Sequence, residues 1–325
     1  MAENIRIGTR GSKLALWQAN KVQTLLKERH PFLTFEIKTF STEGDLATDA
    51  PLYALESQGV FTKELDRALL ENRIDMAVHS LKDVETSLPS KIVLACYLKR
   101  DSKEDALIVR SSLRATTKSL NQLESENGII GTSSVRRKAF LARNFPFLKT
   151  VDIRGNIDTR IEKMETRDIS ALILSAAGLE RMGWSHLIAE KLDVPHAVSQ
   201  GVIAVACLES KTKIAGLLET VDDEETRLSC IAERALLSGL KGGCKVPVGV
   251  TTSFSRAGMQ FNLKLRAAVC SLDGKEFCEE SEQIKFENNG EKEVEAAKLG
   301  IRVAESLDKK GAQRILRGCR DLVAA

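Results

Sequence analysis

The chain has 325 residues, of which 43% are hydrophobic and 29% are charged, and its formal net charge at pH 7 is +3. This length predicts two or three domains with sizeable cores, and the composition excludes a disordered or fibrous chain. The charge is too small, and the basic residues are too scattered, to make nucleic acid or a membrane the expected partner.

The beginning of the chain moves directly into strand-like alternation, without the pattern of a signal peptide. The longest apolar run, VIAVACL, is too short to span a bilayer. The seven cysteines contain no C-x-x-C pair, and the four histidines lack metal-ligand spacing. We therefore expect a cytoplasmic protein without a metal site.

Strand-like and helix-like runs alternate over the first two thirds of the chain, which is typical of parallel α/β construction. A first unit contains the runs IRIGT, SKLALWQANKVQTLLKER, FEIKTF, FTKELDRALLEN and DMAVHS. A second unit contains GIIGTS, SVRRKAFLARN, TVDIRG, NIDTRIEKME and SALILSAAG. Residues 7–9 and 130–132 repeat Ile-Gly-Thr at a strand end, but no regular repeat is present. Crossovers between the units are expected near residue 100 and near VPHAVSQG.

After about residue 221 the pattern changes. A long helix is predicted over DDEETRLSCIAERALLSGL, with Asp222 or Asp223 as its N-terminal cap. Two strands follow in KVPVGVTTS and FNLKLRAAVCSLDGKEF, the latter ending at an Asp-Gly turn, and then a helix in EKEVEAAKLGIRVAESL. These elements predict a smaller α+β domain.

The turns that follow predicted strands carry residues suited to binding anions. They are Thr9, Arg10 and Ser12; Thr132, Ser133, Ser134, Arg136 and Arg137; Arg154 and Arg160; and Arg181. Ligands collect at the carboxyl ends of strands in α/β sheets, and the arginine fork binds carboxylates or phosphates. The pattern therefore favours a ligand with many acidic groups, although arginines in first helical turns can also simply face water.

Two further segments have two interpretations each. Lys82 and Asp83 follow the strand DMAVHS and are either solvated charges or a carboxylate that holds a cation or moves a proton. Cys244 follows two glycines and precedes Lys245, whose charge favours a thiolate. Cys244 is accordingly either a nucleophile or covalent attachment point, or an incidental loop cysteine.

The combination of IRIGTRGSKLALWQAN, FTKELDRALLENRIDMAVHSLKDV, GTSSVRRKAF, IRGNIDTR, AAGLERMGW and GGCKVPVG closely resembles the porphobilinogen deaminase family, also called hydroxymethylbilane synthases. The resemblance runs in order along nearly the whole chain and thins only towards its end. Any one of these fragments alone would be a weak signal, whereas their combination is specific.

This resemblance implies a transferase that joins four porphobilinogen molecules head to tail, releases ammonia each time and yields linear hydroxymethylbilane. It implies a dipyrromethane cofactor held by a thioether to Cys244, and Asp83 as the catalytic carboxylate with Lys82 beside it. Porphobilinogen would be the partner, in a monomeric, cytoplasmic enzyme of tetrapyrrole biosynthesis without nucleic acid, membrane or metal.

The resemblance assigns a larger group of residues to binding the acidic side chains of cofactor and substrate. They are Arg10, Ser12, Gln18, Lys63, Ser133, Ser134, Arg136, Arg137, Arg154, Arg160, Arg181 and Gln200. The implied fold has two α/β domains like those of periplasmic binding proteins flanking a cleft, and a smaller α+β C-terminal domain. Residues 1–100 with 201–218 would carry the catalytic carboxylate, residues 101–200 the arginines and residues 219–325 the cofactor attachment.

Several positions depart from the family pattern. Gln58 stands where lysine is common, Glu85 where proline is expected, Ser199 and Ala204 where glycine is more frequent, Ala206 where glutamate is usual and Leu208 where arginine is usual. The joint loss of an acidic and a basic residue predicts that an internal ion pair is absent, which need not destabilise the fold.

Two other classes of protein are alternatives to the enzyme. One is a non-catalytic binding protein for a polyanionic small molecule, but simple binding does not require a thiol on a glycine-flanked loop. The other is a nucleic-acid-binding regulator acting through SVRRK, but no reader module or extended basic stripe accompanies that segment.

Overall fold

The computed structural model describes residues 4–42, 59–241, 246–258, 260–287 and 291–324. These residues divide into two compact units. The first contains residues 4–42, 59–101 and 201–227, and the second contains residues 102–200 together with the described residues from 228 onwards. The predicted α/β class is confirmed, because five-stranded sheets with flanking helices occur in both units.

The elements up to residue 101 are β1 (Asn4–Arg10), α1 (Lys13–Arg29), β2 (Thr34–Phe40), α2 (Lys63–Leu70), β3 (Met76–Ser80) and β4 (Ile92–Tyr97). Those up to residue 200 are β5 (Asp105–Val109), α3 (Leu120–Ser125), β6 (Ile129–Gly131), α4 (Val135–Asn144), β7 (Lys149–Val151), α5 (Ile157–Thr166), β8 (Ala171–Ser175), α6 (Ala176–Arg181) and β9 (Ile188–Leu192). Short 3₁₀ turns lie at Leu81–Asp83, Ser111–Leu113 and Ser185–Leu187.

The remaining elements are β10 (Ile203–Leu208), α7 (Thr212–Glu219), α8 (Glu224–Gly239), β11 (Val248–Ala257), β12 (Gln260–Cys270), β13 (Phe277–Glu287), α9 (Lys292–Lys309) and α10 (Ala312–Ala324). The predicted helices at α1, α8 and α9 are confirmed, whereas α7 and α10 were not predicted. Of the two predicted caps for α8, Asp223 acts as one, since its Oδ1 accepts a hydrogen bond of 2.9 Å from the N–H of Thr226.

The five-stranded sheets of the two units correspond strand by strand. Each has three parallel strands, then the strand that follows a crossover between the units, and then an edge strand. The first sheet runs β2-β1-β3-β10-β4 and the second runs β7-β6-β8-β5-β9. The first three strands of each sheet are parallel, but β10 and β5 run antiparallel to both of their neighbours. The sheets are therefore mixed, which differs from the expected parallel construction. The parallel strands are joined through helices, whereas β10 and β5 each follow a crossover between units and enter their sheets in the opposite direction.

The first unit buries apolar side chains on both faces of its sheet. On one face Val22 and Leu26 of α1 pack with Ile5, Ile7 and neighbouring strand residues, which accounts for the three- and four-residue spacing of the apolar positions in α1. On the other face α2 packs against the sheet. The central strands β3 and β10 are buried on both sides, which explains their nearly continuous apolar runs.

Two of the residues that depart from the family pattern, Ala206 and Leu208 on β10, lie in this core. Ala206 and Leu208 are 2% and 8% exposed and belong to the apolar cluster that contains Leu65, Leu69 and Ile74. Apolar contacts thus stand where the family pattern has a glutamate and an arginine. Such a replacement removes the desolvation penalty of a buried ion pair, which explains how the fold accommodates the change.

Glu85 replaces the usual proline and has a polar contact of its own. Its Oε1 accepts a long hydrogen bond of 3.4 Å from the N–H of Gly59, a residue with a φ of 73°. A proline at position 85 could not make this contact. Gln58, another departure, lies outside the described residues.

The second unit also contains an antiparallel sheet of order β11-β12-β13. Helices α8, α9 and α10 bury their apolar faces against it around Leu236, Leu263 and Val303. The turn after β12 packs closely on α4, because a Cβ on Gly274 would lie 2.4 Å from the backbone nitrogen of Arg143. The unit therefore includes the predicted α+β region from residue 228 onwards, and the division of the unit into two domains stays a prediction.

A buried polar contact connects the segment before β10 with this region. Glu233 of α8 is fully buried, and its carboxylate accepts hydrogen bonds of 2.6 Å from the N–H of Ser199 and from the hydroxyl of Thr252. Ser199 has a φ of 61°, in the left-handed region where side chains are strained. Its hydroxyl is buried and has no hydrogen-bond partner among the described residues. The glycine usual in the family would fit this backbone better.

We therefore expect Ser199→Gly to raise the free energy of unfolding by about 1 kcal/mol, because glycine adopts this φ without the clash of a Cβ. Chemical denaturation measures the change. The matched control is Ser199→Ala, which removes the unpaired hydroxyl but keeps the Cβ and hence the strain. Equal stability of the glycine and alanine variants would contradict the backbone explanation.

Candidate functional site

Four predicted site residues of the first unit gather at one edge of its sheet. Strands β1 and β3 are parallel neighbours, so their carboxyl ends, at Arg10 and Ser80, lie at the same edge. Ser12 caps α1, because its Oγ accepts a hydrogen bond of 3.3 Å from the N–H of Ala15. Lys82 and Asp83 lie in the 3₁₀ turn directly after β3 and are both half-buried. This edge thus combines cationic groups with one carboxylate.

Gln18 supports the turn that carries Lys82 and Asp83. It is buried on α1, and its Nε2 donates a hydrogen bond of 2.8 Å to the hydroxyl of Ser80. Ser80 is the last residue of β3 and precedes the turn. The contact fixes the start of the turn against α1. The position of Gln18 therefore favours a role in holding the turn over direct binding of a ligand.

The guanidinium of Arg10 lies over the ring of Phe61, with Cζ 4.4 Å from the ring centroid. This distance is within the range of a cation–π interaction, which restrains the charged group without neutralising it. Lys63 is exposed at the start of α2, two residues after Phe61. Phe61 was not singled out in the sequence, although its position before Lys63 in the quoted FTKE run was a usable signal.

His79 was missed as well and lies one residue before the end of β3. It is 6% exposed, and burial together with the nearby charge of Arg10 lowers its pKa to about 4. The imidazole therefore stays neutral at physiological pH. A lone histidine in a strand carries no spacing pattern that would have marked it.

The second unit repeats the arrangement at the carboxyl ends of β6, β7 and β8. Ser134 caps α4 by accepting a hydrogen bond of 3.4 Å from the N–H of Arg137. Ser133 joins two adjacent strand ends, because its Oγ lies 3.0 Å from both the N–H and the carbonyl oxygen of Ile153. The turns after β6 and β7 are thereby held together, and Arg154 follows directly.

Arg136 and Arg137 surround the carboxylate of Asp105. Arg136 donates from Nη2 to Oδ2 at 2.8 Å, and Arg137 donates to Oδ1 from Nε at 3.1 Å and from Nη2 at 2.7 Å. Both guanidiniums also donate to backbone carbonyls, of Pro195 and Ile173 respectively. All three charged groups are buried. The expectation that such arginines could simply face water is therefore wrong for this pair.

Asp105 was not predicted as a site residue. Burial alone would raise the pKa of its carboxyl, but the charges and hydrogen bonds of Arg136 and Arg137 outweigh that effect and hold the pKa far below the ordinary value. The available signal was an acidic residue at the start of the apolar strand ALIV, where a charge needs a partner if it is buried.

Arg154 and Gln200 retain polar atoms that no described residue takes. Arg154 is 8% exposed, and its Nη1 has no hydrogen-bond partner among the described residues. Burial lowers the pKa of this arginine. Gln200 is fully buried and donates from Nε2 to the carbonyl of Lys103 and to Asp105, while its Oε1 is unpartnered within the described ranges. Buried polar atoms nearly always have a hydrogen-bond partner, so these two unpartnered atoms favour a site that binds a polar ligand.

The remaining predicted arginines differ in their surroundings. Arg160 is half-buried on α5, and its Nε donates a hydrogen bond of 2.7 Å to the carbonyl of Gly155. Arg181 is buried at the end of α6, the helix that follows β8. Both lie on helices that follow strands of the same sheet. The second unit thus brings the predicted arginines to elements following one sheet edge.

Cys244 lies outside the described residues, so its predicted role stays a prediction. The other six cysteines are buried. Burial raises the pKa of Cys207 and of Cys270 to about 11, which makes these thiols poor nucleophiles at neutral pH.

Within the described part of the chain, no cluster of three or more histidine, cysteine, aspartate or glutamate side chains is arranged to hold a metal ion. Among the same residues, no helix combines the length and the apolar character needed to cross a membrane.

Two family models match the chain. Residues 5–216 match the model described as "Porphobilinogen deaminase, dipyromethane cofactor binding domain", and residues 227–309 match "Porphobilinogen deaminase, C-terminal domain". Curated relatives named porphobilinogen deaminase match almost end to end. One from Synechococcus sp. (strain CC9605) is 40% identical over 319 residues, which cover 96% of this chain and 95% of the relative.

A second relative, from Gloeobacter violaceus, is 41% identical over 320 residues, covering 97% of this chain and 94% of the relative. A third, from Desulforamulus reducens, is 40% identical over 325 residues, covering 98% of this chain and 99% of the relative. Among solved structures, the BenM effector binding domain with its effector benzoate is 19% identical, with a TM-score of 0.42, over 68% of this chain and 91% of that one.

The depressed pKa of His79 predicts a loss of stability in acid. A pKa lowered from 6.5 to about 4 on folding contributes stability that is complete above pH 6.5 and is lost as the pH falls towards 4. Between pH 7 and pH 5 we expect this group to account for a decrease of about 2 kcal/mol in the free energy of unfolding.

The variant His79→Gln should therefore lose less stability than the wild type over this pH range, as measured by denaturation at each pH. The exposed His186 provides the control, since His186→Gln should keep the wild-type dependence. Parallel curves for His79→Gln and wild type would contradict the assignment.

Proposed function

The chain belongs to the porphobilinogen deaminase family of transferases, and on that premise we propose how its own residues carry out hydroxymethylbilane synthesis. Four porphobilinogen molecules are joined head to tail, ammonia leaves at each step, and the linear hydroxymethylbilane is released. The observation that carries the assignment is the buried arginine pair around Asp105, because a site with surplus positive charge suits pyrroles that each bear an acetate and a propionate.

The family model that covers residues 5–216 is that of a dipyrromethane-binding domain. The second unit fits such a group, because Arg154 Nη1 and Gln200 Oε1 are buried polar atoms without described partners. We propose that Arg136, Arg137 and Arg154 hold carboxylates of this group and of the porphobilinogen units, and that Cys244 attaches the group through a thioether. When bound, the dipyrromethane supplies the pyrrole carbon at which the chain is extended.

Asp83 is the proposed catalytic carboxylate. Loss of ammonia from porphobilinogen leaves a cationic electrophile, which a fixed negative charge stabilises. The pyrrole carbon that forms the new bond then loses a proton, and a carboxylate on a rigid turn can hold the pyrrole N–H and take part in that transfer. The Gln18–Ser80 contact supports this turn, and Lys82 places a positive charge beside the carboxylate.

The remaining binding residues divide between the two units. In the first, Arg10, Ser12 and Lys63 are proposed to bind acidic side chains of the pyrroles. In the second, Ser133, Ser134, Arg160, Arg181 and Gln200 have the same proposed role. Arg10 is partly restrained by Phe61, which lowers the entropy lost on binding a carboxylate.

The larger organisation is also proposed from family membership. Residues 1–100 with 201–218, residues 101–200 and residues 219–325 form three domains, the last of which carries the cofactor attachment. The enzyme acts as a cytoplasmic monomer, with porphobilinogen as its partner and with neither nucleic acid nor membrane involved. The grouping of residues 201–227 with the N-terminal part of the chain supports the first of these divisions.

The denatured intact mass tests the cofactor. Protein purified from cells that make porphobilinogen should exceed the polypeptide mass by two linked pyrrole units, and Cys244→Ser should show the bare mass. Cys278→Ala, which removes a buried thiol elsewhere, should keep the excess. A bare wild-type mass would overturn the proposed attachment.

Asp83→Asn should retain the two-pyrrole mass but lower kcat by about 10²- to 10⁴-fold, because the shape of the side chain is kept while its charge and basicity are lost. Steady-state consumption of porphobilinogen measures the effect. Glu85→Gln, a neighbouring carboxylate change that keeps the hydrogen-bond acceptor towards Gly59, should remain close to wild type. Similar rates for Asp83→Asn and wild type would refute the catalytic role.

A further inference from the structure

Asp105 is a fully buried carboxylate that no step of the proposed reaction uses directly. Its oxygens accept hydrogen bonds from Arg136 Nη2, from Arg137 Nε and Nη2, and from Gln200 Nε2, at distances between 2.7 and 3.1 Å. An ionised carboxylate is an acceptor only, and these donors occupy both of its oxygens. Because Asp105 is fully buried and both of its oxygens accept hydrogen bonds from protein groups, it does not face a ligand itself.

The charges around Asp105 do not balance. Two buried guanidiniums share one carboxylate, and the structure shows no second carboxylate within ion-pair distance of either arginine among the described residues. A surplus positive charge in a buried place is unfavourable unless an anion compensates it. The imbalance therefore points to an anionic group that completes the cluster.

The geometry around Asp105 also restrains the two arginines. Each guanidinium is held at two places, by Asp105 and by a backbone carbonyl, that of Pro195 for Arg136 and that of Ile173 for Arg137. Free arginine side chains lose considerable rotamer entropy on binding, and a restrained fork loses less. Donors that remain unused on these guanidiniums are thus oriented before a ligand arrives.

We propose that Asp105 is a positioning residue for hydroxymethylbilane synthesis, which fixes the orientation of Arg136 and Arg137 and leaves the pair with one surplus positive charge for a single carboxylate of the pyrrole chain. This proposal rests on the proposed function. Asp105 acts through the arginines, on parts of the pyrrole that do not react. It therefore contributes mainly to binding, and its loss changes KM more than kcat.

The first test is Asp105→Asn, which keeps the shape of the side chain. An amide nitrogen at Oδ2 would present a donor to Arg136 Nη2, while the amide oxygen can still accept from Arg137. We expect KM for porphobilinogen to rise about tenfold and kcat, normalised to chains with the two-pyrrole mass, to change by less than about threefold. Asp152→Asn is the matched control, since Asp152 pairs at 2.8 Å with Lys138 on the exposed side of the same helix, α4. Its KM should stay at the wild-type value.

A double-mutant cycle on KM separates positioning from a general structural effect, because KM does not depend on the fraction of chains that fold. Arg136→Gln with Asp105→Asn removes one charge of each sign, so the cluster keeps its net charge of one positive unit, now carried by Arg137. If Asp105 acts partly through Arg136, then Asp105→Asn should raise KM by a smaller factor in the Arg136→Gln background than in the wild type, because coupled residues are not additive.

The outcomes distinguish this inference from the proposed function. An unchanged KM in Asp105→Asn, or fold-changes that simply multiply in the double variant, overturns the positioning role while leaving the synthesis intact. A lowered content of active chains with normal KM shows that Asp105 only stabilises the fold and also overturns the role. Wild-type protein that fails to consume porphobilinogen overturns the proposed function and this inference with it.

Discussion

Asp105 places a negative charge inside the protein, where an unpaired carboxylate is strongly disfavoured. Its partners come from different parts of the chain, because Arg136 and Arg137 lie in the first turn of α4 and Gln200 lies directly before the return to the first unit. The need to pair one charge thus fixes three segments of the backbone at once. The adjacent Ser199 extends the constraint to α8 through the buried carboxylate of Glu233, which places the arginines and the C-terminal region in one polar network.

The two five-stranded sheets have the same arrangement of strands but carry different side chains at the edge where their parallel strands end. In both sheets polar side chains follow the parallel strands, and one of these strands in each sheet ends at Ile-Gly-Thr or one residue beyond it or before it. In the first unit this edge carries the carboxylate of Asp83, and in the second it carries arginines. A parallel sheet presents its carboxyl ends and the following helix N-termini at one side, so the same scaffold suits both the proposed proton transfer at Asp83 and the proposed anion binding at the arginines.

The sequence predicted the elements with strong periodicity, such as α1 and α9, and it placed most site residues at strand ends because those positions follow from local pattern. It could not predict that β10 and β5 run antiparallel, since strand direction depends on pairing between distant segments. Asp105 and His79 were missed for a related reason. Burial gives each its unusual electrostatic state, and a single acidic residue or histidine in a strand has no spacing that reveals burial.

The return of the chain to the first unit at β10 also constrains the order in which the chain can fold during synthesis. Residue 203 of β10 pairs with residue 80 of β3, and among the described strands β4 joins the first sheet only through β10. A nascent chain that ends before residue 203 therefore contains β4 but lacks the strand that attaches it. Domains commonly fold in order from the N-terminus as they leave the ribosome, but here the first sheet waits for a strand encoded after the whole second sheet. A truncation within the arginine-rich region would consequently leave the N-terminal sheet unfinished as well.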